Sequence, residues 1–137
     1  MNDKEPLKVL EAARLFGARV TDLAGQLPRH TPSGLRVQLV EAAQAISGLL
    51  AEGFGRGSTA EKIHYSHMAN GSLEESQNYL RQFVNADLIN RKTFYMHWNL
   101  SITIGRMLTN LIAHLECKRA AEQSLPHRAA REASARY

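Results

Sequence analysis

The chain has 137 residues, enough for one domain with its own hydrophobic core, and its 44% hydrophobic and 22% charged residues are a globular composition. No apolar run reaches the roughly 18 residues of a membrane span, the start "MNDKEPLK" lacks a signal-peptide layout, and the single Cys117 excludes an internal disulfide, so a cytoplasmic chain is expected. Three of the four net positive charges fall at the end of the chain, where Lys118, Arg119, Arg128, Arg131 and Arg136 face only Glu122 and Glu132. Such a basic end either holds phosphate backbones or solubilises the protein.

The first predicted helix places Val9, Ala13, Phe16, Val20, Leu23 and Leu27 on one face, at alternating spacings of four and three. Asn2 or Asp3 caps its start, Pro6 suits its first turn, and the turn-forming "PRHTPSG" ends it. The second helix repeats the pattern with Leu35, Leu39, Ala42, Ile46, Leu49 and Gly53. Ala42, Ala43 and Ala45 let a neighbouring helix approach closely.

Between the second and third helices stands "AEGFGRGS", Ala51 to Ser58. A phosphate-cradling loop would need a lysine beside Gly57, and a dinucleotide fingerprint would need a third glycine where Ser58 stands and a strand before it. Neither condition holds. The stretch reads as a corner made of Glu52, Gly53, Gly55, Arg56, Gly57, Ser58 and Glu61. Gly53 or Gly55 is expected to end the second helix in the left-handed conformation, and "STAE" has the form of a capping box for the third. Glu52 and Arg56, four apart, are in reach of an ion pair, and free amides beside Arg56 offer an anion site as the alternative.

The third helix carries Tyr65, Ala69, Ser72, Ser76, Tyr79, Phe83 and Ala86, widened by Met68, Leu73, Leu80 and Val84. Gly71 at its centre predicts a close helix approach. A break at Asp87 to Lys92, capped by Asn90, leads into a fourth helix with Phe94, Trp98, Ser101, Gly105, Leu108, Ile112 and Leu115 on its core face. From Phe94 to Leu115, 12 of 22 residues are large and apolar, more than one stripe requires. Tyr95, Leu100, Ile104, Met107 and Leu111 fall partly outside that stripe, which points to burial against another subunit; a wide core stripe is the alternative.

Four predicted helices with short connections and no alternating strand pattern make an all-α, antiparallel up-and-down four-helix bundle. The domain boundary is expected at residue 117, with 1–117 as the bundle and 118–137 as a basic, flexible tail. No catalytic constellation emerges. The Glu-x-x-His of Glu61 and His64 lacks the second copy that di-iron bundles use; the alternative reading is a cryptic metal-binding protein or enzyme with its site at Glu61, His64 and His67, which lack an assured further ligand, or between subunits. Cys117 near a helix end has no base partner in sequence, and Ser72, Ser76 and Ser101 read as packing residues.

"LLAEGFGRGS", "ANGSLEE" at Ala69 to Glu75 and "GRMLTNLIAHL" at Gly105 to Leu115 together resemble the bacterial four-helix-bundle family that includes proteins encoded within 23S ribosomal RNA intervening sequences. The likeness in order and spacing runs from about Leu7 to Glu116, with one departure: Ser47, Gly48, Leu49 and Leu50 replace the Pro-Ser-Asn-Ile common before Ala-Glu-Gly. The resemblance implies a homopentamer without defined catalytic residues, and an architecture similar to pentameric accessory proteins of diversity-generating retroelements, which work with nucleic acid. The expected function is therefore a non-enzymatic, oligomeric binding or scaffold module with no cofactor. Its expected partners are its own copies, RNA or DNA, or another protein. Arg56, Lys62, Arg81, Arg91, Lys92, Lys118 and Arg119 are the candidate nucleic-acid contacts, each otherwise an ordinary solvated helix charge.

Overall fold

The computed structural model describes residues 4–135, with side chains through residue 124. It consists of α1 (Glu5–Gln26), α2 (Ser33–Phe54), α3 (Thr59–Asn85) and α4 (Arg91–Ala135), with no strand among the described residues. Each helix packs on its neighbours in sequence and α4 closes the ring on α1; that closing seam is the most sparingly packed of the four. Cross-helix partners climb one helix as they descend the next. Gln77 Nε2 donates to Ser101 Oγ at 3.0 Å and Thr59 Oγ1 to Glu122 Oε1 at 3.0 Å, while Tyr79 Oη donates to Gln38 Oε1 at 3.1 Å. All neighbouring helices therefore run antiparallel.

The core follows from the helical period. All six positions of the α1 stripe, Val9 through Leu27, are buried, and Phe16 and Val20 are fully so. They meet Leu39, Ala43, Ile46 and Leu50 of α2, with Leu73, Leu80 and Phe83 of α3 and Ile104, Leu108 and Leu111 of α4 completing the cluster. Burying side chains of this size contributes about 1.5–3 kcal/mol each against solvent exposure.

The stripes of the other three helices are met in part: Leu39, Ala42, Ile46 and Gly53 of α2, Ala69, Ser76 and Phe83 of α3, and Phe94, Ser101, Leu108 and Leu115 of α4 are buried, and the rest shift. Leu50 rather than Leu49 is buried in α2, and Thr59, Ile63 and Ser66 open the buried face of α3, where Tyr65 and Tyr79 are half-buried and Met68 exposed, as is Ala86 just after the helix. In α4, His97, Ile104 and Leu111 take the core positions expected for Trp98, Gly105 and Ile112, which are half-buried. Ile104 and Leu111 thus leave the outward face, and the apolar excess of α4 shrinks to exposed Tyr95 and Met96 with half-buried Leu100, Ile102 and Met107.

Helix ends differ in how they are made. Lys4 precedes α1 without a side-chain cap, Pro6 stands in the first turn, and the expected caps Asn2 and Asp3 lie outside the described residues. At its other end, Arg36 reaches back from α2 to donate to Ala24 O at 2.6 Å and Pro28 O at 3.1 Å, adding a second donor to carbonyls that also accept from the Leu27 and Thr31 amides and so strapping the turn to α2. After α3, Asp87 adopts a left-handed φ of 58°, with Leu88 N–H on Phe83 O and Asp87 N–H on Val84 O. This pair of bonds is a Schellman ending. Asn90 Oδ1 then accepts from Thr93 N–H at 2.8 Å and caps α4 as expected. No break marks residue 117: the backbone of α4 continues as one helix through the expected boundary to Ala135.

Candidate nucleic-acid interface

The corner between α2 and α3 is built around Arg56. Its Nη2 donates to Glu52 Oε1 at 2.6 Å and to Tyr65 Oη at 3.0 Å, and its Nη1 lies 3.4 Å from Glu61 Oε2. The guanidinium also lies 5.3 Å from the Tyr65 ring centroid. The hydrogen bond to Glu52, with the Tyr65 hydroxyl and the carboxylates adding to it, holds Arg56 even more firmly protonated than a free arginine. Two carboxylates on one exposed cation leave it little charge for a phosphate.

Two expectations for this corner need correction. Gly55 ends α2 with φ −78° and ψ −9°, and no described glycine has a positive φ. The chain turns instead through right-handed backbone, with Gly55 N–H bonded to Ala51 O and Arg56 N–H to Gly53 O. Gly53 is required for another reason: a Cβ there would sit 2.6 Å from Tyr65 Cβ, so α2 and α3 come together at that point. The serine arm of the capping box is present, Ser58 Oγ accepting from Glu61 N–H at 3.1 Å. Glu61's carboxylate, however, takes the Ser58 hydroxyl at 3.3 Å and Arg56. Gly57 has open space around it, and so does Gly71, whose expected close packing is absent.

No three His, Cys, Asp or Glu residues gather as a metal site among the described residues. Glu61 faces Arg56, His67 Nε2 lies 4.0 Å from Glu116 Oε1, and His64 sits edge-on to Tyr65. Ser76 and Ser101 are buried and donate to the backbone carbonyls of Ser72 and Trp98. Cys117 is exposed. Among the described residues no helix is long and apolar enough to cross a membrane.

The candidate cations divide between the two ends of the bundle. Arg56 and Lys62 lie at the α2–α3 end, with Lys118 and Arg119 on the stretch of α4 between Glu116, beside His67, and Glu122, beside Thr59. Arg81 and Arg91 come together at the opposite end, lining one groove with Asp87, Asn90, Phe94 and Tyr95; Lys92 follows Arg91. The antiparallel topology brings the α1–α2 loop to that same end. Residues 28–36 and 81–92 together hold Arg29, Arg36, Arg81, Arg91 and Lys92 against one carboxylate, Asp87. Arg81, Arg91 and Lys92 have no carboxylate within 4.0 Å among the described residues. Arg29 and Arg36 cannot be picked out as members from sequence, because only the fold sets the two turns side by side.

Aromatic rings stand among these cations. Arg81 lies 4.6 Å from the Trp98 ring centroid, Phe94 stacks on Trp98 at 5.3 Å, and Tyr95 meets Phe94 edge-on at 5.1 Å. On the far side of α4, buried His97 places its ring nitrogens 2.7 Å from Thr93 O and 3.4 Å from Arg19 O, tying α4 to α1. Sequence spacing assigns that core position to Trp98; a histidine that bridges two carbonyls carries no apolar signal.

A family model described as 23S rRNA-intervening sequence protein matches residues 5–110. A crystal structure of a protein with unknown function from the S23 ribosomal protein family of Bacteroides thetaiotaomicron superposes with a TM-score of 0.76. It is 19% identical and covers 80% of this chain and 98% of its own, a likeness of fold. No curated protein sequence matches the chain.

Proposed function

Since the chain belongs to the 23S rRNA-intervening sequence protein family, we propose that it is a self-associating helical scaffold that binds nucleic acid and performs no catalysis. The observation that carries the reading is the basic end of the bundle, where the α1–α2 and α3–α4 turns hold five cations and one carboxylate, and Arg81, Arg91 and Lys92 have no ion-pair partner among the described residues. Unneutralised cations at one pole attract a phosphate backbone and release its counterions.

The test is fluorescence anisotropy of a labelled oligonucleotide at stepped salt. Affinity is expected to fall log-linearly, with a slope of about 0.7 to 0.9 per phosphate contact. No binding at low salt overturns the reading. Repeating the titration without residues 118–137 separates the basic end of the bundle from the C-terminal charges.

Self-association is supported by Leu7 and Leu15 of α1 and Met96 of α4, large apolar side chains left exposed on two adjacent helices. We propose the homopentamer. Five chains of 15.3 kDa would weigh about 77 kDa, and light scattering that returned the mass of a single chain would refute assembly.

A further inference from the structure

The groove at the α3–α4 end has features that phosphate attraction alone does not explain. It is an open groove of about 800 Å³ between Arg81 and Asn85 on α3 and Arg91 and Tyr95 on α4, with Asp87 and Asn90 in the turn between them. That volume lies in the range of sites for small organic groups. Tyr95 is 53% exposed yet braced by the Phe94 edge, and Phe94 is braced in turn by Trp98 under the Arg81 guanidinium. A ring held this way offers its face at little entropic cost.

Resting on the nucleic-acid reading above, we infer that this groove takes an unpaired base, so that the chain prefers single strands to duplexes. A base stacks on an aromatic face whatever its identity, and only a base outside a duplex stack has a free face to present. A duplex lying across the same end would reach the cations but leave Tyr95 unused. Arg91 and Lys92 stand next to the stacking ring, where the flanking phosphates of a strand would run. Asn85 lines the groove with an amide donor and acceptor suited to a base edge, and Asn90, whose Oδ1 caps α4, adds its amide donor. The Asp87 carboxylate in the same lining repels phosphate and accepts from an exocyclic base amine.

Trp98 is the sole tryptophan and lies beside the groove, so its emission reports occupancy. The experiment titrates the full chain with a strand of roughly 12 nucleotides and with its duplex, as RNA and as DNA, at matched salt. The single strand is expected to bind at least about tenfold tighter and to change the Trp98 emission. Tyr95→Ala is expected to weaken single-strand binding roughly 5- to 150-fold, the loss of one stacked base, while duplex binding and the melting temperature stay as they were. Tyr95→Phe should retain the affinity. The RNA and DNA arms identify which strand is held. Equal or tighter duplex binding, or no single-strand loss in Tyr95→Ala, overturns the inference and leaves the nucleic-acid reading standing. Failure of every form to bind at low salt overturns both.

Discussion

At the α2–α3 end of the bundle an arginine lies over a tyrosine ring, and at the α3–α4 end another lies over a tryptophan. The two pairings are alike in chemistry and differ in setting. Arg56 is bound by Glu52 and reached by Glu61, so cation, ring and carboxylates form a closed, near-neutral joint. Arg81 has no carboxylate within 4.0 Å among the described residues and shares its groove with Arg91. A cation over an aromatic ring is therefore not in itself a binding feature; the neighbouring carboxylates decide whether its charge remains available.

The comparison is most strongly tested at Gly53. Gly53→Ala sets a Cβ against the Tyr65 Cβ, which no rotamer change relieves, and should cost about 1–3 kcal/mol in thermal or denaturant unfolding. Oligonucleotide affinity should be unchanged, because the clash sits at the neutral end. Next come the caps. Ser58→Ala and Asn90→Ala each remove one bond to a helix-start amide, at about 1 kcal/mol apiece by chemical denaturation. Similar losses at the two ends would show that the ends differ in charge and not in helix stability.

Asp87→Gly goes the other way. It relieves a left-handed non-glycine residue and should raise stability by up to about 1 kcal/mol. It also removes the carboxylate that lines the basic groove, so single-strand affinity should rise in the same protein. The smallest change in stability is expected from Arg56→Ala: a slight drop in melting temperature that fades in high salt, with the salt slope of nucleic-acid binding intact. Arg91→Ala should instead lower that slope by nearly one unit. Equal slopes for these two variants would break the comparison.

Much of the fold is legible in the sequence because α1 alternates cleanly between apolar and polar positions, and its whole stripe is buried. In α4 more than half of the central residues are apolar, so the direction of the core is poorly determined by period alone. Spacing places Trp98 inward and passes over His97, yet Trp98 lies at the α3 seam under Arg81 and His97 is buried against Arg19 O. Glycine misleads in both directions. Gly71 has open space and no close neighbour, whereas Gly53 reads as a cap and is the point where two helices touch. Of the candidate site, Arg81, Arg91 and Lys92 are recognisable as charges, but their lack of partners and their nearness to Tyr95 exist only in three dimensions.

The sparse seam between α1 and α4 has a consequence for kinetics. It joins the first helix to the last, across the longest stretch of intervening chain in the molecule, whereas the other three seams join consecutive helices. Closing it carries the largest loop entropy and returns the thinnest packing. The α1–α2 hairpin, strapped by Arg36, and the α2–α3 hairpin, joined at Gly53, can form from local interactions first. Docking of α4 on α1 then completes the ring, and native-state hydrogen exchange should find that same edge opening ahead of global unfolding.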